Sequence, residues 1–308
     1  MMKFEGIAAF VAIAEAGAIS EAARRLGLPK SVVSERLAEL ERVVGSRLVQ
    51  RTTRKLSLTG DGLAFLERGR RMFRDMVEAT AEMAERRGSL VGPLRISAPV
   101  SFGMLHLGPA LYGFLADNSG VELTLDLDDR FVDVAADGYD AVVRHSHVRD
   151  NRLVAKRLAP SRRVLVASPA YLAARGVPRS LGDLERHSAI LYTNRDADWR
   201  LKGPNGWLVV RPQSGLRVNN GLIMRDAALA GLGITLLPTF MIAKELASGA
   251  LQVVDVGAEA EGADLYIAYP RNRSESAKVR TLTQHLRRKF GDPPYWDAGP
   301  PHPPPSAL

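Results

Sequence analysis

Apolar residues near the start of the chain recur at helical spacing. Ile7, Phe10, Val11 and Ala14 make a short stripe, and Gly17 can end the helix that carries it. Ser20 is placed to cap a second helix over Glu21–Leu26, closed by Gly27. Pro29 suits the opening of a third helix, where its missing N–H is not needed, and Val33, Leu37, Leu40 and Val44 lie along one face up to Gly45. Leu48 to Leu58 then reads as a β-hairpin with a polar, basic tip, Thr52 to Lys55. Thr59 can cap a long helix with Asp61 in its first turn, reaching about Arg87 and spanning about 43 Å. Leu63, Leu66, Phe73, Met76, Val77, Thr80 and Met83 form an apolar seam along it, with charged residues mostly off the seam. A helix of that length with such a seam needs a partner surface, and a second copy of the chain is the expected one.

From Pro93 the pattern changes to alternating strands and helices. Leu94–Ala98, Val121–Leu127, Ala141–Arg144, Val164–Ala167 and Leu265–Ala268 read as strands. Leu105–Asn118, Phe131–Asp137, Gly221–Ala230 and Ser276–Phe290 read as helices. Such alternation predicts an α/β domain with a mostly parallel sheet. The segment from Asp292 carries seven prolines in seventeen residues and is expected to form no regular element, although Tyr295 and Trp296 can pack on the domain.

The 308 residues exceed what one compact core usually needs, so two domains are expected. Apolar residues at 46% and charged residues at 25% describe an ordinary globular chain, and no apolar run is long enough to span a membrane. The first residues do not read as a signal peptide, so a cytoplasmic location is expected. The absence of cysteine excludes disulfides, thiolate metal sites and a thiol nucleophile. The net charge of +8 suits a polyanionic partner, and its distribution says more: Arg42, Arg47, Arg51, Arg54 and Lys55 lie in a stretch without any acid.

Two helices joined by a tight glycine turn make a helix-turn-helix, whose second member enters the major groove. With Val33 and Leu37 facing inward, Lys30, Ser31, Ser34 and Glu35 can face DNA. The basic hairpin tip is a wing whose arginine can enter a narrow minor groove. The expected DNA-binding set is Ser20, Lys30, Ser31, Ser34 and Glu35 from the helices, with Arg51, Thr53, Arg54 and Lys55 from the wing. The runs Phe10–Gly17, Ser20–Leu28, Arg47–Arg54 and Leu58–Gly62 resemble the opening of the LysR-type transcription regulators. That resemblance implies base contacts from helix three, minor-groove entry by Arg54, and pairing of the long linker helices in a homodimer, most often within a tetramer. Lys30 stands where the family usually has glutamine, and Glu35 where it often has a basic residue, so the base preference is left open.

The resemblance continues through Gly138–Asp140, Leu158–Arg163, Ala167–Leu172, Asn219–Gly221, Ala230–Ile234 and Gly291–Trp296, covering about residues 3 to 297. It implies a two-lobed effector domain, like a type 2 periplasmic binding protein, with a ligand cleft between the lobes. The divisions expected are 1–58 for the winged helix-turn-helix, 59–90 for the linker and 91–292 for the effector domain. Lobe I takes about 91–160 and 269–292, lobe II about 161–268, and 293–308 form the tail. The crossovers are placed near Ala159–Arg163 and Ala268–Arg271. A cleft of this kind collects strand C-termini and helix N-termini, which attract anions. Its expected walls are Ser97, Pro99, Val100, Ser101, Phe102, Arg144, His145 and Ser146 from one lobe. The other lobe brings Tyr192, Thr193, Asn219, Asn220, Gly221, Leu222, Leu237 and Pro238. A small organic acid held by Ser101, Asn220 and helix N-termini is the expected effector. His145 and His147 either contact such an acid or sit in a solvated loop; their spacing suits a metal poorly.

An enzyme is disfavoured, since no G-x-S-x-G, H-E-x-x-H, P-loop or G-x-G-x-x-G pattern is present. No cofactor and no metal are expected. A solute-binding protein accounts only for the second domain and an architectural DNA binder only for the first. The expected partners are double-stranded DNA, an effector and a second copy, with RNA polymerase a further partner to consider. A constitutive regulator with a vestigial cleft remains the alternative.

Overall fold

The computed structural model describes residues 4–51, 56–85, 90–130, 132–134, 137–145, 150–194, 199–203, 206–271 and 276–298. The chain divides into two compact units, 1–87 and 88–308.

The first unit contains α1 (Phe4–Ala16), α2 (Ile19–Leu26), α3 (Lys30–Val44), the antiparallel hairpin β1 (Val49–Arg51) and β2 (Leu56–Leu58), and α4 (Gly60–Glu85). Ile7, Phe10, Ile13, Val33, Leu37, Leu40 and Leu48 fill its core. Ser20 is not the cap of α2: burial of Ile19 starts that helix earlier, Ala18 holds the cap position, and Ser20 sits exposed in the first turn. Val44 ends outside the core and is exposed. The seam of α4 divides in two. Leu66 is buried and Phe73 meets Phe4, both against α1, whereas Leu63, Met76 and Met83 stay exposed, as does Met72 beside them. Thr59 caps α4 through its hydroxyl, which accepts the Gly62 N–H at 2.9 Å and donates to the Arg47 carbonyl at 2.7 Å.

Leu48 ties these parts together. Its N–H and that of Val49 donate to the Glu41 carboxylate of α3, at 2.8 and 3.1 Å, and its carbonyl accepts from Thr59 N–H at 3.1 Å. The same carbonyl leaves no room on α4: a Cβ at Gly62 would lie 2.0 Å from it.

The second unit opens with β3 (Gly92–Ala98). A continuous helical run follows, made of α5 (Val100–Phe102), a π-helical turn (Gly103–Leu107) and α6 (Gly108–Asp117). This run begins at Val100 rather than Leu105, because Pro99 ends the strand and the Asp129 carboxylate receives the Val100 N–H at 3.0 Å. Next come β4 (Val121–Leu127), β5 (Ala141–His145), β6 (Leu153–Ala159), β7 (Arg163–Ala167), α7 (Pro169–Arg175), β8 (Ala189–Tyr192) and the hairpin β9 (Trp199–Gly203) and β10 (Gly206–Val210). The chain continues through β11 (Ser214–Val218), α8 (Gly221–Leu229), β12 (Ile234–Pro238), α9 (Thr239–Ala247), β13 (Gln252–Val253), β14 (Glu259–Ala260), β15 (Leu265–Pro270) and α10 (Ala277–Phe290). The helix expected over Phe131–Asp137 lies partly outside the described residues; of those described, Asp137 N–H donates to the Asp133 carbonyl.

Two five-stranded sheets form, ordered β4-β3-β5-β15-β6 and β11-β8-β12-β7-β13, with a small sheet β10-β9-β14 on the second. Both are mixed rather than mostly parallel. β3 runs parallel to β4 and β5, and β8 parallel to β11 and β12, but β15 and β7 run antiparallel to their neighbours. The chain crosses from the first sheet to the second over 160–162. It returns over 261–264, not at Ala268–Arg271, because β15 is already an interior strand between β5 and β6 and its apolar residues need both neighbours.

The first lobe's core includes an aromatic cluster of Phe102, Phe290 and Trp296, joined by Phe240 of α9. Trp296 is buried there, while Tyr295 is half exposed and bonds His106 Nδ1 through its hydroxyl. The other ring nitrogen of His106 lies 3.0 Å from the Phe240 carbonyl. A carbonyl can only accept, so Nε2 carries the proton, while the Tyr295 hydroxyl can either donate to Nδ1 or accept from it. Burial pushes the pKa of His106 below the ordinary 6.5, helped by Lys244 and opposed by the Phe240 bond. Burial lowers that of His187 as well.

Two predictions follow. Gly62→Ala should cost at least about 2 kcal/mol through the backbone clash, read as a lower melting temperature and weaker DNA binding; an unchanged melting temperature would show that α4 shifts freely. Because the unfolded state takes up protons before the buried rings do, stability present above the ordinary histidine range should fall as pH drops below it. His106→Gln should flatten the dependence of melting temperature on pH without abolishing it, since His187 titrates in the same sense. A slope equal to that of the parent protein would exclude His106.

Candidate DNA interface and effector cavity

Within the first unit, burial of Val33 and Leu37 turns the opposite side of α3 outward. Lys30, Ser31 and Glu35 are exposed and Ser34 is partly so, all near the helix N-terminus. Arg36 is drawn back to Glu5 at 3.1 Å, and Arg24 and Arg25 of α2 are engaged by Glu21. In the wing, Arg51 pairs with Leu56 through its backbone. Thr53, Arg54 and Lys55 lie outside the described residues, as does the side chain of Arg51.

In the second unit, three parallel strands of each sheet point their C-terminal ends toward one hollow. From the first lobe come Pro99 and Ser101 after β3, Asp129 and Arg130 after β4, and Arg144 and His145 at the end of β5. From the second come Tyr192 at the end of β8 and Asn194 after it, Gly221 and Met224 after β11, and Leu237 and Pro238 at the end of β12. Ser161, Arg163, Leu236, Phe240, Met241 and Ala263 complete a cavity of about 630 Å³, within the range for a small-molecule site.

The structure therefore brings together Pro99, Ser101, Arg144, His145, Tyr192, Gly221, Leu237 and Pro238 of the expected set. Ser97 is buried beneath them, its hydroxyl accepting from Arg144 at 2.9 Å. Phe102 belongs to the core and touches the His145 ring edge-on. Val100 stands behind the wall with its N–H committed to Asp129. Thr193 and Asn219 are exposed outside the cavity, and Leu222, partly buried, does not line it. Asn220 is not a wall residue: its side-chain oxygen caps α8, accepting from the N–H groups of Leu222 and Ile223 at 2.9 and 3.3 Å. Ser146 and His147 lie outside the described residues.

The capping contacts overturn part of the expected chemistry. Oxygens of Asp129 and Asn220 already occupy the N-termini of α5 and α8, whereas α9, whose first turn brings Phe240 and Met241 to the cavity, has no side-chain cap. Of the three arginines that line the cavity, Arg130, Arg144 and Arg163, Arg144 stands at the C-terminal end of a parallel strand. It donates to the Val143 carbonyl at 2.8 Å and to Ser97, both neutral acceptors. Among the described residues no carboxylate lies within 4.0 Å of it. Burial lowers its pKa, with Asp128 and Asp129 acting in the opposite direction. Arg130, by contrast, is held by Asp128 at 2.7 and 3.0 Å, and this pairing brings the Asp128 carboxyl down to about 2.

One wall is aromatic and thioether. His145 stacks on Phe240 with ring centres 4.8 Å apart and planes 5° from parallel. Ser101 and Gly221 face one another across the lobes: a Cβ on Gly221 would meet Met241 Sδ at 2.6 Å and Ser101 Oγ at 3.6 Å. Asp129, Arg163, Met224, Phe240 and Met241 were not foreseen. Asp129 could have been, as the residue that closes an alternating strand at its C-terminal end; Phe240 could not, since its position depends on how α9 packs.

Among the described residues no helix is long and apolar enough to cross a membrane, and no cluster suits a metal ion. Residues 4–63 match the family model of bacterial regulatory helix-turn-helix proteins of the lysR family, and residues 87–291 that of the LysR substrate binding domain. An HTH-type transcriptional regulator of Haemophilus influenzae is 30% identical over 285 residues, 92% of this chain and 99% of its own. PtxR, an HTH-type transcriptional regulator of Pseudomonas aeruginosa, is 33% identical over 291 residues, 93% of each chain. The solved structure of CrgA, a LysR-type regulator of Neisseria meningitidis, superposes with a TM-score of 0.59 at 26% identity, over 92% of this chain and 98% of that one. These relatives are transcription regulators, not enzymes. The chain thus belongs to the LysR family and is a DNA-binding transcription regulator with an effector-binding domain.

Proposed function

We propose that this chain regulates transcription in the bacterial cytoplasm as a homodimer, under the control of a small organic acid bound between the lobes of its second unit. In this reading residues 1–58 read DNA, the linker helix pairs with its partner copy, and the two-lobed unit senses the acid. Assembly to a tetramer and contact with RNA polymerase belong to the same reading.

The observation that carries the acid is Arg144, a guanidinium inside a cavity whose bonds, among the described residues, go to neutral oxygens. Its remaining donors match a carboxylate in bidentate geometry, and the aromatic and thioether wall suits an apolar body. Ser101, at the narrow approach of the two lobes, is placed to sense whether they close. Pairing through α4 is supported by the exposed apolar residues Leu63, Met72, Met76 and Met83, which one copy leaves in water. Lys30, Ser31, Ser34 and Glu35 remain the candidate base readers.

Arg144→Gln should weaken binding of a carboxylate effector at least about tenfold in calorimetry at unchanged melting temperature, and Ser101→Ala should weaken it less. Silence of the parent protein toward a broad carboxylate panel, or indifference to Arg144→Gln, would remove the acid from this reading. On DNA fragments selected from a random genomic pool, Lys30→Ala should cost about 1–3 kcal/mol and relax preference at one position of each half-site. A uniform loss with the salt slope reduced by about one would assign Lys30 to a phosphate instead.

A further inference from the structure

The cavity holds a second charge that a plain acid does not use. Asp129, on the loop after β4, spends one carboxylate oxygen on the Val100 N–H at 3.0 Å. Among the described residues its other oxygen has no partner, and no cation lies within 4.0 Å of it. Asp129 and Arg144 line one hollow yet do not pair. The adjacent Asp128 and Arg130 do pair, through three side-chain bonds, so this loop forms ion pairs where reach allows. Asp128 and Asp129 act on the Arg144 charge without touching it, so the guanidinium and the Asp129 carboxylate each keep room for a ligand group of opposite charge in a partly desolvated site. A ligand with only a carboxylate would satisfy Arg144 and add a like charge beside Asp129.

We infer that the effector is a small amino-carboxylic acid, an α-amino acid with an apolar side chain being the simplest case. Its carboxylate lies on Arg144, its primary ammonium on Asp129, and its side chain against Met224, Leu237 and Phe240. This deepens the organic-acid reading and rests on it. Arg163 on the opposite wall makes a dicarboxylate the natural competitor.

Calorimetry on the full-length protein separates the two. The probes are the common L-amino acids, the deaminated analogues of leucine and phenylalanine (4-methylpentanoate and 3-phenylpropanoate), and succinate. Asp129→Asn removes the charge but keeps an oxygen for Val100, and asparagine is as good a helix cap as aspartate. The expected result is an apolar amino acid bound at least about tenfold more tightly than its deaminated analogue. Asp129→Asn should erase that preference, and Arg144→Gln should weaken both ligands. If the deaminated acid or succinate binds as well as any amino acid, or if Asp129→Asn leaves the preference intact, the inference is overturned while the organic-acid reading stands. Silence toward every probe overturns both.

Discussion

Phe240 opens a helix that belongs to the second lobe by chain order, since α9 follows directly on β12. Its ring is nevertheless buried among Phe102, His106, His145 and Trp296 of the first lobe. Burial of one such ring contributes about 2–3 kcal/mol, and the bond from His106 to its carbonyl adds direction. The cavity depends on this anchor. Phe240 and Met241 are at once wall residues and core residues, so any ligand that displaces them also disturbs the contact that sets the lobes against each other. The C-terminal Tyr295 and Trp296 take part in the same cluster, which gives a short proline-rich segment a reason to pack.

The electrostatics of the cavity follow from which helix ends are already satisfied. An open helix N-terminus would be a natural anion site. Here Asp129 and Asn220 close those of α5 and α8, and beside them stands a side-chain cation held by Ser97 and a backbone carbonyl. The site is thereby specific in geometry: a guanidinium presents a planar fork, whereas a helix end presents a diffuse dipole.

In the first unit a comparable economy operates at Leu48. Glu41 reaches back from α3 to the first N–H groups of the wing, while the carbonyl of Leu48 receives Thr59 and excludes any side chain from position 62. Recognition helix, wing and linker helix therefore meet at one backbone unit.

Local signals in the sequence determined much of this molecule. The spacing of Ile7, Phe10, Val33 and Leu37, the glycine stops at 17, 27 and 45 and the Thr59 cap define the helix-turn-helix and linker. Strand ends at Ser97, Arg144 and Leu237 pointed to the cavity wall, because residues at the C-terminal ends of parallel strands share one edge. The start of α2 escaped, since burial of Ile19 outweighed the capping preference of Ser20. So did the return crossover, because an apolar run does not reveal whether its neighbours are two strands or one. Which oxygens cap which helices, why Asp129 and Arg144 stand apart, and why Phe240 sits in the other lobe were decided by tertiary structure alone. Each is a contact between segments distant in the chain, and periodicity carries information only about neighbours a few residues apart.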